Sequence, residues 1–180
     1  MDKIIYSFYK RGYINDSNDK IVILGLQRII YLFEDVLTVL FVSWIMGNIV
    51  VGIVFEAVYI PLRVYAGGFH AANEKLCKYI SWGSSMVCLL IIFLIPVNDF
   101  IMHFLQMVSW IAILLLSPVQ SKNRPLSYKE QKIFRIRSIA IASFEMVVYW
   151  LLYMAGALQE AKSVFVAMLL VVAGLAFKQF

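Results

Sequence analysis

The chain has 180 residues, 62% of them hydrophobic and only 15% charged, with a formal net charge of +5; its mean hydropathy is +0.82. Soluble domains carry about 45–50% apolar and about 25% charged residues, so a water-soluble globular fold is excluded: a chain this short cannot hide this much apolar surface. The composition predicts an all-α integral membrane protein, a polytopic transmembrane bundle of about five to six membrane segments forming one domain over 1–180.

Residues 1–20 lack an apolar core followed by a small-residue cleavage site, so no signal peptide is evident. Stretches 1–13 and 21–34 mix apolar residues with Lys3, Lys10, Arg11 and Arg28, a pattern that predicts amphipathic helices lying on the membrane surface across 1–34. Five apolar runs follow, at roughly 36–60, 79–97, 100–117, 139–156 and 161–178. Each is long enough to cross a hydrocarbon core of about 30 Å. Pro61, Pro96 and Pro118 stand at run ends, where a helix can stop. Asn98–Asp99 and Gly156 through Lys162 read as tight connections.

The segment 118–138 is basic: Lys122, Arg124, Lys129, Lys132, Arg135 and Arg137 stand against one acid, Glu130. The positive-inside rule makes it a cytoplasmic loop. Counting spans outward from it places 61–80 on the cytoplasmic side too. A single crossing by 36–60 would put the basic N-terminus outside. Either 21–34 also enters the membrane, or part of 36–60 is re-entrant around Gly47, Asn48 and Gly52.

The stretch 61–80, PLRVYAGGFHAANEKLCKYI, is polar and marked by glycine, and it holds His70 and Cys77. Thiolate attacks carbonyls and a nearby imidazole can produce it, so such a pair suffices for acyl transfer. Seven residues is nearly two helical turns, which returns both side chains to one face but about 10 Å apart. Gly67 and Gly68 loosen the backbone upstream, so His70 is expected on a loop or first turn that folds back over Cys77. Against this stands the plainer reading of two interfacial residues without chemistry. Cys88, at lipid depth in MVCLLIIF, reads as an inert small hydrophobe, and His103 as an ordinary interfacial histidine. The two cysteines lie about 16 Å apart along one helix, too far to bond to each other.

The run Arg63-Val64-Tyr65-Ala66-Gly67-Gly68-Phe69-His70-Ala71, with Cys77 seven residues after the histidine, resembles the accessory gene regulator protein B (AgrB) family of membrane peptidases in quorum sensing. Ser117-Pro118-Val119 followed by Asn123-Arg124-Pro125-Leu126 is similar to that family's cytoplasmic loop, and size and hydropathy match over essentially the whole chain. The resemblance implies a cysteine endopeptidase that cuts an AgrD-like pheromone precursor through an acyl-enzyme thioester. A cysteine or serine of the precursor then closes a thiolactone or lactone ring. It further implies Cys77 as nucleophile, His70 as base, Arg63 and Gly68 in supporting roles, and a homodimer in the cell membrane.

Several residues remain open. Lys122, Arg124, Lys129 and Lys132 offer a docking surface for an acidic precursor tail, or serve only topology and anionic lipid. Glu74 and Asn73 stand between His70 and Cys77 and could orient the imidazole. Glu145, about two turns into its run, could orient His70, pair with Arg63 or snorkel, and Glu56 raises the same question. Gly83, Ser84 and Ser85 read as a close-packing patch. Two distant histidines and two cysteines supply no zinc ligand set, no Walker-type loop is present, and no cofactor or nucleic acid is expected. The alternative is a small transporter or permease subunit, with Glu145 as its ion or substrate site.

Overall fold

A computed structural model of the chain describes residues 19–68, 74–119 and 127–176. These residues form six helices: α1 (Asp19–Ile45), α2 (Ile49–Ala66), α3 (Glu74–Leu94), α4 (Asp99–Leu116), α5 (Tyr128–Met154) and α6 (Leu158–Ala176). The last five are long and apolar enough to cross a membrane. Among the described residues the only β pairing is an isolated parallel bridge between Gly67 and Val119. The expected all-α polytopic bundle is therefore what the chain forms.

The chain divides into two compact units, Met1–Thr38 and Val39–Phe180. In the first, described from residue 19, α1 carries exposed Ile29, Leu32, Phe33 and Leu37. Thr38 Oγ1 donates back to the Glu34 carbonyl at 2.8 Å. The surface helix expected at 21–34 is thus one part of a helix that continues to Ile45, and 1–13 lies outside the described residues.

The second unit holds the bundle. The run 36–60 is not one segment: it breaks at Met46–Gly47–Asn48. Gly47 takes φ +94, a conformation that glycine reaches without strain. The Asn48 side chain then caps α2 by accepting from Val50 N–H at 3.1 Å. Nor does Pro61 end a helix. It lies inside α2, which continues to Ala66 and stops at Gly67, φ +80. One missing N–H is tolerated because Leu62 and Ala66 beyond it are fully buried and hold the last turn in place.

Other boundaries also move. The helix read as 139–156 starts at Tyr128, eleven residues earlier, so most of the expected basic loop is helical. Its cause is a capping box, in which Ser127 and Glu130 satisfy each other's backbone N–H groups. Likewise α6 starts at Leu158, so the turn before it is shorter than 156–162. The first turn of α3 takes in Cys77.

The organising element is α6, which packs against α2, α3, α4 and α5. Ala161, Ser163 and Ala167 on it are fully buried, and their small side chains let neighbouring backbones approach. Ser163 Oγ donates to the Val51 carbonyl of α2 at 2.9 Å. Gly52 does the same for α1 and α2, since a Cβ there would meet Ser43 Oγ at 2.5 Å. Phe100, Phe104, Leu115, Phe144 and Leu151 point outward, as a lipid solvent allows.

Two ends are defined. At one, Asn48 Nδ2 donates to Glu160 Oε1 at 2.9 Å, and Lys162 Nζ caps α3 by donating to the carbonyls of Ile92 and Ile95. At the other, Gly67, Gly68, Val119 and Gly174 converge.

Candidate active site

The Gly67 end carries Arg63 and Gly68, two of the residues singled out for chemistry. Arg63, in the last turn of α2, donates from Nη1 to the Gly67 carbonyl at 3.1 Å. Cations are favoured there, where the final carbonyls of a helix lack partners. Gly68 follows at φ +136, and a Cβ on it would fall on the Arg63 guanidinium. A side chain is barred at Gly67 as well, by the Val119 carbonyl oxygen. Arg63 and Gly68 are therefore one arrangement: the guanidinium occupies the space that the missing side chain leaves.

The α4–α5 connection holds this corner from the other side. Val119 N–H donates to the Ala66 carbonyl at 2.9 Å, which supplies α2 with a C-terminal partner. The Ser117–Pro118 bond before it is cis. Ser117 Oγ and Ser138 Oγ share a buried hydrogen bond of 2.7 Å, fixing the connection to α5. From α5, Arg137 Nη1 donates to Tyr65 Oη at 3.2 Å, and its guanidinium lies 5.3 Å from that ring's centre. Phe134 meets the same ring edge-on at 5.7 Å.

Cys77 sits in the first turn of α3 and is half-buried, whereas Cys88, three turns deeper, is buried. The two cysteines thus differ in burial. His70 and Asn73 lie outside the described residues, as do Lys122 and Arg124. Glu74 opens α3. Lys129 and Lys132 stand exposed on the first two turns of α5, on the stretch that leads to Arg137.

Glu145 does not join this corner. It is 4% exposed within α5, so it does not snorkel, and its Oε2 has no hydrogen-bond partner among the described residues. No ion pair with Arg63 forms. Glu56 is likewise buried, in the middle of α2. The patch at Gly83–Ser85 is not a close-packing face throughout: a Cβ at Gly83 would meet open space, while Ser84 and Ser85 donate to the Ser81 carbonyl.

Sequence reasoning missed two features. Val119 gave no signal as a clamp on Gly67, because backbone pairing between distant segments leaves no residue pattern. His103, dismissed as ordinary, sits among Tyr149, Trp150 and Tyr153, with its Nδ1 2.6 Å from Tyr149 Oη. The four-residue spacing of Glu145, Tyr149 and Tyr153 was legible as one helix face and could have pointed there.

Compared with known proteins, residues 1–177 match the family model described as Accessory gene regulator B. No curated protein and no solved structure matches the chain.

Proposed function

The chain belongs to the accessory gene regulator B family, a family of membrane proteins in quorum-sensing processing, and on that footing we propose that it is the cysteine endopeptidase of this system. Its substrate is an AgrD-like precursor peptide. Cys77 attacks the scissile carbonyl and His70 takes the thiol proton. The amine leaves, and a cysteine or serine of the precursor attacks the resulting thioester to close a ring. A thioester keeps the energy of the cleaved amide better than a carboxylate does, so closure needs no nucleotide.

The family match over nearly the whole chain carries this reading. Two features of the structure support it. Cys77 stands at the start of a membrane helix, within reach of the polar side, where a peptide can approach. Arg63, Gly67, Gly68 and Val119 form a cross-braced corner immediately before the segment that bears His70. This is the kind of rigid support that a positioned base needs. Lys129 and Lys132, exposed on the first turns of α5, offer the acidic tail of the precursor a basic landing surface, which the excess of positive charge makes cytoplasmic; Lys122 and Arg124 precede them in the chain.

Co-expression of the chain with its precursor, followed by mass measurement of the peptides, tests the assignment. Cys77→Ala and His70→Ala each abolish cleavage while the protein still inserts, and Cys88→Ala retains it. Normal processing by Cys77→Ala would refute the reading.

A further inference from the structure

Glu145 lies in the middle of α5, at the inner end of a file of polar groups. An ionisable side chain at membrane depth is costly, and it commonly marks a proton or ion pathway. On the same face of α5, Tyr149 follows one turn later and Tyr153 one turn after that. Tyr149 is fully buried, and its hydroxyl lies 2.6 Å from Nδ1 of His103 on α4. The half-buried imidazole stacks on Trp150 at 4.8 Å between ring centres and meets Tyr153 edge-on at 4.5 Å. Asp99, exposed in the first turn of α4, stands one helical turn before His103 on the same helix. Exposure falls from Asp99 at the end of the bundle, through the half-buried Tyr153 and His103, to Tyr149 and Glu145, both buried.

The inner end is built around acceptors. Gln106 of α4 is fully buried, and its Nε2 reaches the Met146 and Met168 sulfurs at 3.6 and 2.9 Å. Its Oε1, like Glu145 Oε2, has no hydrogen-bond partner among the described residues. Two buried oxygens on adjoining helices thus lack a donor, and a proton on Glu145 would supply one. The titratable groups on the elements around it are few. α2 brings Glu56, which the Ser163–Val51 contact places level with Met168, and Tyr59. α3 brings Cys88 and α4 brings His103. α6 brings only Glu160, whose Oε1 accepts from Asn48 Nδ2, and Lys162, whose ammonium is held on the Ile92 and Ile95 carbonyls.

We propose that Glu145 is a proton-binding site inside the bundle, loaded from the Asn48 end through Asp99, Tyr153, His103 and Tyr149. A proton delivered by Asp99 and Tyr153 is taken at Nε2 of His103. The Nδ1 proton passes to the Tyr149 oxygen, and the Tyr149 hydroxyl proton passes to the Glu145 carboxylate once that side chain rotates toward the next turn. Each hop breaks one N–H or O–H bond and forms another; one proton moves inward and no electron changes hands.

The test uses the full chain in lipid nanodiscs, followed by time-resolved infrared difference spectroscopy after a pH jump. Cys77→Ala serves as background, since the proposal does not depend on the cysteine reaction. A carboxylic C=O band responds to the jump; Glu145→Gln removes it and Glu145→Asp shifts it, so either variant assigns the band. Tyr149→Phe and His103→Gln keep the band but slow its response by about tenfold or more, the scale on which a positioned proton carrier acts. Trp110→Phe, which breaks the 3.3 Å bond to Ser143 between the same two helices but outside the file, responds at the parent rate. Absence of any band that the Glu145 variants alter would overturn the proposal. So would parent rates in both Tyr149→Phe and His103→Gln, or equal slowing in Trp110→Phe; the polar contacts would then only hold α4 to α5.

Discussion

A single methyl group at Gly68 would have to share space with the Arg63 guanidinium, in a backbone conformation that side chains rarely adopt. Gly68→Ala is therefore expected to lower stability by about 1–3 kcal/mol, read as a drop in thermal unfolding temperature in detergent. If the proposed peptidase reading holds, it also lowers precursor cleavage, because the base follows two residues later. The cysteines make a second residue-scale contrast. Cys77 is half-buried in the first turn of α3 and Cys88 is 6% exposed. A maleimide reagent should label Cys77 and leave Cys88 untouched until the fold is lost; equal labelling in the native state would contradict this arrangement. At this scale the sequence was partly legible. The glycines, Arg63 and Cys77 stood out by type and spacing, and the depth of Cys88 followed from its apolar neighbours. The reason Gly68 must be glycine did not, since it depends on where a side chain five residues upstream comes to rest.

Among the elements, helix existence was easier to read than helix ends. Long apolar runs exposed four of the five spans directly, because a membrane demands some 20 apolar residues per helix whatever their order. Their ends are set by short-range chemistry that hydropathy does not see. Asn48 shows this: it splits what reads as one run by capping α2 and donating to Glu160. Asn48→Ala should cost about 1–2 kcal/mol, measured by thermal unfolding, whereas a residue that merely sat in lipid would cost little. Ser127 and Glu130 likewise extend α5 through a stretch whose charge reads as loop. Pro61 errs the other way, looking like a stop while the helix runs on, because the packing of Leu62 and Ala66 outweighs one lost hydrogen bond.

At the scale of the bundle, α2 to α5 share one partner, α6. Ala167 of α6 is fully buried, while Leu169, two residues on, is 39% exposed. Ala167→Leu should overpack the centre and lower stability by about 1–3 kcal/mol, and Leu169→Ala should change it by about 0.5 kcal/mol or less. Unfolding temperatures of the two variants would decide whether α6 is central in solution. The all-α membrane class was plain from composition. The central position of α6 was not, because in lipid an interior helix is no more apolar than an outer one, and only its small residues at Ala161, Ser163 and Ala167 distinguish it. α6 follows α2 to α5 in chain order and so leaves the ribosome after them. Each earlier helix enters the bilayer with a face awaiting a companion not yet made. Closure of the bundle is thus deferred until translation has passed Leu158, and a nascent chain halted before that point has inserted helices without a core.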